Sequence, residues 1–321
     1  MQRTALRTAA DAERWAQENP IMAKMTNKER RLKIFRYGSA AIAKYTNGDS
    51  SLYYCPICGV GYPESSAIAG ADLTLEDVPP KSVGGKPILL TCRQCNSVAG
   101  HKIDVCTASK RKFEEFGRAV CGKENGMIPF VTLSMADFSI ATSVCTGRSF
   151  DVMPLPNANS PASIEKYKKY LGNLAANNFN GFEFKLSMTQ KYDHRFYKLS
   201  QLKSAFLLMF AWLGYRYAFD PRLEVVRRQI QEPENDILGT RFWIEGNESM
   251  PLNKVMFLRK PLPMFLVSFD GFSILLPSLN PTDDIYSTLP SFWEKGQRVT
   301  LEVQVLLSSW PDRLEMKLDY E

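Results

Sequence analysis

The stretch that decides the fold is Cys55-Pro-Ile-Cys58, followed after 33 intervening residues by Cys92-Arg-Gln-Cys95 and then directly by Asn96. A CxxC turn offers two thiolates to one ion, and zinc binds four such ligands in a tetrahedron. Two turns complete that shell, so the spacing predicts a structural zinc site at Cys55, Cys58, Cys92 and Cys95. The alternative is four ordinary buried thiols.

The remaining three cysteines, Cys106, Cys121 and Cys145, stand alone in the sequence. Isolated thiols behave as small hydrophobic side chains, so we expect all three in the core. Disulfides are rare in reducing compartments, and a thiolate zinc site suits such a compartment. Both observations favour a cytoplasmic protein.

The segment between the two cysteine pairs predicts a strand, a loop, a second strand and a helix. Leu73-Thr-Leu75 is the first strand, and Pro79-Pro80 with Gly84-Gly85 indicates a loop with a tight turn. Ile88–Thr91 is the second strand, and Arg93 to about Asp104 is the helix. The zinc ion would tie the strand before this unit to the start of its helix.

Two quoted segments carry a family resemblance. Thr74-Leu-Glu-Asp-Val-Pro-Pro-Lys-Ser-Val-Gly-Gly85 and Thr91-Cys-Arg-Gln-Cys-Asn-Ser-Val-Ala-Gly-His-Lys-Ile-Asp104 together resemble the zinc-containing branch of the HNH endonuclease family, which has the ββα-metal fold. The likeness covers about residues 50–106, roughly a sixth of the chain. Its specificity lies in several short elements that match in order.

The resemblance assigns roles to individual residues. Glu76 matches the family's acidic metal ligand, and Asn96 matches the metal-binding residue at the start of the helix. Asp77 stands where the family has the histidine that activates water. An ordinary carboxylate is a weaker base than a neutral imidazole. Pro87 takes the place of the side chain that orients that histidine, so the two departures agree.

Two interpretations of the site follow from the resemblance. In the first, Glu76, Asp77 and Asn96 hold Mg²⁺ or Mn²⁺, ions that prefer oxygen ligands. Asp77 and His101 are then the candidate catalytic residues. His101 lies five residues after Asn96, so on an ideal helix their side chains diverge by roughly 140°. The second histidine, His194, is expected to be a surface or packing residue.

The leading function is therefore metal-dependent hydrolysis of phosphodiester bonds in DNA, and the family analogy adds a role in restriction or defence. The second interpretation is a catalytically inactive HNH-like zinc module that binds nucleic acid or a protein partner. A purely structural subunit of a larger complex is a third class, in which nothing requires Glu76.

Composition sets the wider limits. The 321 residues are enough for two or three domains, and their net charge of +6 suits a polyanionic partner. Residues 1–50 hold ten Lys and Arg against five Asp and Glu, although a solvated helix face explains such a run equally well. The longest apolar run, Ala205–Tyr215, is shorter than the roughly 20 residues of a membrane span. The sequence therefore predicts no membrane partner.

The predicted architecture is α+β with three parts. Residues 1–48 form an N-terminal helical segment, which includes a helix from Asn27 to about Tyr45. Residues 49–106 form the zinc-bound, HNH-like ββα-metal module, and residues 107–321 form a larger mixed α+β domain. The C-terminal domain is expected to pack on the module, recognise substrate or bind a protein partner.

Periodicity gives the elements of that C-terminal domain. Ile128–Met135 and Phe138–Thr146 predict strands, and the apolar stretch Leu199–Leu213 predicts a core helix. Asp270-Gly271 between apolar runs predicts a hairpin turn. The domain contains no P-loop, GxSxG or dinucleotide motif, so its sequence points to no second activity.

Overall fold

The computed structural model describes residues 25–46, 51–121, 126–135, 138–146, 150–176, 183–246, 253–279, 285–288, 300 and 302–317. These parts form a mixed α+β structure, in which the strands pair into small antiparallel sheets. The predicted α+β class is confirmed. The helical prediction for the residues before Met25 lies outside the described residues.

The chain divides into two compact units. The first combines Met1–Thr107 with Asp193–Glu321, and the second is Ala108–Tyr192. The stretch 107–321, predicted as one C-terminal domain, is thus shared between the two units. The reason is that residues 193–321 complete the hydrophobic core of the N-terminal part: Ile34, Leu89, Phe206 and Phe265 belong to one buried cluster.

The N-terminal part of the first unit begins with a long helix, as the sequence predicts. Its elements are α1 (Asn27–Thr46), β1 (Leu52–Tyr54), β2 (Gly61–Pro63), α2 (Glu64–Ala69), β3 (Leu73–Val78), β4 (Lys86–Cys92) and α3 (Arg93–Ala99). A π-helical turn, Gly100–Asp104, joins α3 to α4 (Val105–Val120), and the boundary between the units falls within α4.

β3 and β4 form an antiparallel hairpin that leads directly into α3. Leu73 pairs with Cys92 at one end and Val78 pairs with Lys86 at the other, and the register shifts between Glu76 and Asp77. Gly85 lies in the connecting loop. A Cβ at this position would collide with the backbone carbonyl of Pro79, so this conformation of the loop requires glycine. The predicted order of strand, loop, strand and helix is therefore observed in this segment.

The C-terminal part of the first unit supplies three helices and a five-stranded sheet. The helices are α6 (His194–Leu213), α7 (Tyr215–Ala218) and α8 (Glu224–Gln231). The strands are β9 (Trp243–Glu245), β10 (Val255–Lys260), β11 (Met264–Phe269), β12 (Phe272–Pro277) and β13 (Glu302–Leu307). Their order in the sheet is β13-β10-β11-β12-β9. Gly271, at φ +79°, forms the turn between β11 and β12, which confirms the predicted hairpin.

Helix α6 lies at the centre of the first unit. Every residue from Leu199 to Leu213 is buried, so the apolar stretch is a core helix as predicted. Asp193 caps its N-terminus by accepting a hydrogen bond from the backbone N–H of Phe196 (3.0 Å). The one charged residue inside this buried stretch is Lys203, whose side chain is 1% exposed.

The second unit contains a four-stranded sheet and one further helix. Its elements are β5 (Gly126–Met135), β6 (Phe138–Thr146), β7 (Phe150–Pro154), α5 (Pro161–Ala176) and β8 (Lys185–Ser187), and the sheet order is β7-β6-β5-β8. The two strands predicted at Ile128–Met135 and Phe138–Thr146 are confirmed. None of the helices in the described residues is both long and apolar enough to cross a membrane.

Candidate functional site

The four cysteines of the two CxxC pairs meet at one end of the β3–β4 hairpin. Cys55 follows β1, and the turn Cys55–Gly59 closes through a hydrogen bond from the N–H of Gly59 to the carbonyl of Cys55 (2.8 Å). Cys92 ends β4 and is the N-cap residue of α3, and Cys95 lies in the first turn of that helix. The cluster therefore joins β1, β4 and α3.

The geometry of the cluster fits a tetrahedral metal ion. All four Sγ atoms lie within 4.8 Å of one another, and Cys58 Sγ is 3.7 Å from Cys92 Sγ. A zinc–sulfur bond of about 2.3 Å gives sulfur–sulfur distances of about 3.8 Å in a tetrahedron. Backbone N–H groups also donate to the sulfurs, from Cys92 to Cys55 Sγ and from Cys95 to Cys92 Sγ (both 3.4 Å). The cluster can hold one zinc ion.

The thiols influence one another strongly. Burial raises the pKa of Cys55, whereas the hydrogen bond with Cys55 lowers the pKa of Cys58 to about 7. Hydrogen bonds with the neighbouring thiols also lower the pKa of Cys92. A bound dication would replace the shared protons and favour all four thiolates.

Buried side chains fix the first CxxC turn from outside. Tyr215 Oη donates to the carbonyl of Tyr54 (3.0 Å) and accepts from its N–H (3.1 Å). Tyr53 Oη donates to the carbonyl of Leu90 on β4 (2.9 Å). Gln231 Nε2 of α8 donates to the carbonyl of Ile57 (3.0 Å). The C-terminal half of the chain thus positions the cysteine cluster.

The three cysteines outside the cluster have different surroundings. Cys106 is buried, as predicted, whereas Cys121 is exposed and Cys145 is half-buried. The core prediction is therefore wrong for Cys121, which lies in an exposed turn just beyond the end of α4.

Asn96 faces the hairpin from the first turns of α3. Its Nδ2 donates to Thr74 Oγ1 (2.9 Å) and to the carbonyl of Leu75 (3.3 Å), so both amide hydrogens are used. An asparagine amide has two donor hydrogens and one acceptor oxygen. Asn96 can therefore offer a ligand only its Oδ1 atom, which is the atom that a hard cation binds.

Glu76 lies on the same face of the hairpin as Asn96. Thr74 and Thr91 are cross-strand partners, and Thr91 Oγ1 donates to Glu76 Oε2 (2.8 Å). The other carboxylate oxygen, Oε1, accepts from Lys203 Nζ (2.7 Å). Glu76 is only 3% exposed. Both oxygens of this buried carboxylate therefore accept hydrogen bonds from the protein itself, one from Thr91 and one from Lys203.

Lys203 links Glu76 to a second carboxylate. Its Nζ also donates to Asp104 Oδ2 (2.5 Å), and Asp104 Oδ1 accepts from Ser200 Oγ (2.7 Å). Burial alone lowers the pKa of Lys203, but the two adjacent carboxylates outweigh it and raise that pKa above its ordinary value. We call Glu76, Lys203 and Asp104 the charged triad. It joins β3 and the π-helical turn to α6.

Asp77 is half-buried, one residue beyond Glu76 in β3. Burial raises the pKa of its carboxyl, and the positive charges of Lys81, Arg30 and Lys203 oppose that rise. The Asp77 carboxylate is therefore partly exposed and has basic side chains nearby.

The two histidines lie on different elements. His101 is exposed on the π-helical turn, and His194 is the first residue of α6, with its ring 6.1 Å from that of Tyr197. The assignment of His101 as base or ligand stays a prediction. The convergence of Glu76, Asp77 and Asn96 on one cation also stays a prediction, and at Glu76 it would require the release of Lys203.

Sequence reasoning missed two members of the charged triad. Asp104 is the last residue of the second quoted segment, and Lys203 lies within the apolar stretch that predicts a core helix. One signal was available: a lysine in the middle of an apolar run rarely stays buried without an acidic partner.

Comparison with models of protein families, with curated proteins and with solved structures gives no match to this chain. The resemblance stated above therefore rests on the quoted residues.

Proposed function

We propose that the protein is a metal-dependent DNA endonuclease of the HNH type, with its active site at the β3–β4 hairpin and α3. The observation that carries this proposal is the environment of Asn96. Its two amide hydrogens bind Thr74 and Leu75 of β3, the strand that carries Asp77, and this leaves Oδ1 as the atom that can bind a cation. The four-cysteine cluster at the start of the same helix holds that arrangement together.

The ligand chemistry favours a hard cation. An amide oxygen from Asn96 and a carboxylate from Asp77 are ligands of the kind that Mg²⁺ and Mn²⁺ prefer. Such a cation, when bound, lowers the pKa of a coordinated water and neutralises charge on a phosphate. Within the chain itself, Asn96 orients its oxygen and Asp77 supplies negative charge or accepts a proton.

Glu76 has a structural role in this proposal. Its oxygens accept from Lys203 and Thr91, and a hydrated cation at Glu76 would take from the buried Lys203 one of its two carboxylate partners, so that Asp104 alone would compensate the ammonium. The cost of weakening a buried ion pair disfavours that exchange. Asp77 and Asn96 are therefore the main candidates for the cation, and Glu76 fixes the strand on which Asp77 lies.

A second candidate function is a non-catalytic zinc module that binds nucleic acid or a protein partner. Two observations favour it: Asp77 replaces the family's histidine, and the exposed His101 lies on the π-helical turn after α3. A defence role against foreign DNA is an extension of the endonuclease proposal by family analogy.

The test is cleavage of supercoiled plasmid with Mg²⁺ or Mn²⁺. We expect the wild type to nick or linearise the plasmid and Asn96→Ala and Asp77→Ala to reduce the rate at least about a hundredfold, the scale of losing a charge-stabilising group. His101→Ala should reduce it only modestly. Gln94→Ala removes an exposed amide from the same helix and is the matched control, with an unchanged rate expected.

Two outcomes would overturn the proposal. A wild type that binds DNA but does not cut it with either metal supports the non-catalytic module. A wild type that cuts DNA and is indifferent to both Asn96→Ala and Asp77→Ala has its active site elsewhere. Each variant should first be shown to retain its zinc, so that loss of folding is not mistaken for loss of chemistry.

A further inference from the structure

A groove beside the proposed active site carries an excess of positive charge. Its volume is about 560 Å³, and its walls come from α1, β4 and the segment 312–317. Five basic side chains line it, against the two acidic side chains Asp312 and Glu315. The basic residues are Arg30, Lys33, Lys86, Arg313 and Lys317. We call this feature the basic groove.

The C-terminal wall of the basic groove is firmly anchored. The backbone N–H groups of Glu315 and Met316 donate to the carbonyl of Ala211 (2.7 and 3.0 Å), and that of Lys317 donates to Trp212 (2.7 Å). The side chains of Leu314 and Met316 are buried. Arg313 and Lys317 therefore project from a wall that is fixed to the end of α6.

The basic groove adjoins the residue that the proposed mechanism uses. Pro87 lines the groove and is the cross-strand partner of Asp77. Arg30 lines the groove from α1, and its positive charge acts on the Asp77 carboxylate. A strand lying in the groove would therefore pass the end of β3 that carries Asp77.

We propose that the basic groove binds the phosphodiester backbone of a DNA strand and guides it to Asp77 and Asn96, an inference that rests on the proposed function. Charge complementarity selects the occupant, because positive clefts attract polyanions. Tyr37 lines the groove from α1 and is 54% exposed, so its ring offers a surface on which a base can stack.

The N-terminal residues of the chain are a poorer match for the groove. Residues 1–24 contain the basic residues Arg3, Arg7, Arg14 and Lys24 and the acidic residues Asp11, Glu13 and Glu18, so their net charge is 4 − 3 = +1. A positively charged segment does not complement a positively charged groove. Their removal should therefore leave DNA binding in place.

The experiment measures DNA binding without cleavage. Fluorescence anisotropy follows a labelled strand of about 20 nucleotides, as single strand and as duplex, with no added divalent cation and at salt from about 50 to 200 mM. The variants are Lys86→Glu, Arg313→Glu and the two together. Lys28→Glu reverses one charge on the exposed side of α1 away from the groove and is the matched control.

We expect each reversal in the groove to weaken DNA binding about tenfold and to reduce the slope of log affinity against log salt by about one. Lys28→Glu should leave both unchanged. Gln94→Ala, which lies outside the groove and outside the proposed cation site, should also leave both unchanged. Zinc content and circular dichroism must match the wild type in every variant.

Three outcomes would overturn the inference, and a fourth would overturn only the proposed endonuclease activity. Unchanged affinity in the double reversal excludes the groove, even if plasmid cleavage by the wild type supports the endonuclease. Tighter binding of RNA than of DNA of the same sequence would assign the groove to RNA, and tighter DNA binding after deletion of residues 1–24 would make that segment its occupant. DNA binding that requires the groove in a wild type that never cuts would uphold the groove and remove the endonuclease.

Discussion

The four-cysteine cluster and the charged triad both lie in the first unit, and both attach to the β3–β4 hairpin. The cysteines gather four potential thiolates without a cation of their own. The charged triad gathers two carboxylates around an ammonium that the chain itself supplies. The charged triad thus contains its own counter-charge, whereas the cysteine cluster could take its counter-charge from a bound metal ion.

The first prediction concerns the loss of one cysteine from the four-cysteine cluster, which has the largest expected effect. Cys92→Ser removes one ligand and the N-cap sulfur of α3, so zinc should fall from about one ion per chain to nearly none. Because zinc binding contributes to folding, the melting temperature should drop by about 10 °C or more. Elemental analysis and calorimetry measure the two quantities.

The control for this change is Cys121→Ser, which alters an exposed thiol outside the cluster. It should keep the zinc ion and the melting temperature of the wild type. A zinc-free Cys92→Ser protein that melts like the wild type would show that the cluster contributes nothing to stability.

The second prediction breaks the charged triad. Lys203→Met leaves the buried carboxylate of Glu76 and the half-buried carboxylate of Asp104 without their ammonium and should lower the free energy of unfolding by about 3–5 kcal/mol. Zinc content should be unchanged, since the cysteines do not contact Lys203. Urea unfolding at neutral pH measures the loss, and Lys260→Met, which removes an exposed ammonium paired with Glu302, should cost less than about 1 kcal/mol.

The third prediction sharpens the role of charge in the triad. Adding Glu76→Gln and Asp104→Asn to Lys203→Met removes the two unpaired charges, so the triple variant should be more stable than Lys203→Met alone. Urea unfolding at fixed pH measures the difference in the free energy of unfolding between the triple variant and Lys203→Met. A triple variant less stable than Lys203→Met would show that the hydrogen bonds of Ser200 and Thr91 need charged acceptors.

The fourth prediction tests the loop that joins the two arms of the hairpin. Gly85→Ala places a Cβ against the carbonyl of Pro79, so the loop must move, at a cost of about 1–3 kcal/mol. Gly100→Ala meets open space in a helical backbone and should be neutral or slightly stabilising. Thermal melting of both variants checks the difference, which equal melting temperatures would refute.

The fifth prediction concerns a local, partly exposed ion pair and has the smallest effect. Burial raises the pKa of Asp220, but hydrogen bonds and charge from Arg222 outweigh it, so that pKa lies below its ordinary value. The pair therefore adds stability above the unfolded pKa of about 3.9 and loses it as pH falls. Asp220→Asn should cost less than about 0.5 kcal/mol at pH 7, since solvent screens the pair.

Urea unfolding of the wild type and of Asp220→Asn, repeated at lower pH, gives the sign of the pKa shift of Asp220. The difference between the wild type and Asp220→Asn should shrink as Asp220 becomes protonated below about pH 4. A difference that grows towards acid pH would contradict the assigned direction of the pKa shift.

The sequence predicted the cysteine cluster because its signal is local. Each CxxC turn fixes two ligands by spacing, and the strands and helix between them follow from short patterns in the same stretch. The charged triad could not be predicted in this way, because 127 residues separate Glu76 from Lys203. Their contact depends on tertiary packing of α6 against β3, which no periodicity in either segment encodes.

The division into units escaped prediction for the same reason. The sequence predicts a boundary between residues 106 and 107, and the first stretch of the first unit ends at Thr107. The return of the chain to the first unit at Asp193 has no local marker, since the apolar stripe of α6 does not specify which surface it packs against. Patterns therefore predicted the elements well and the long-range partners poorly.

Under the proposed function the cysteines hold zinc, and a second cation binds Asn96 while Glu76 stays paired with Lys203. Crystals grown with Mn²⁺, with anomalous maps recorded at the zinc and manganese edges, test this arrangement. We expect a zinc peak about 2.3 Å from each of the four sulfurs and a manganese peak within about 2.6 Å of Asn96 Oδ1. A manganese ion on Glu76 with Lys203 displaced, or cysteines without zinc, would contradict it.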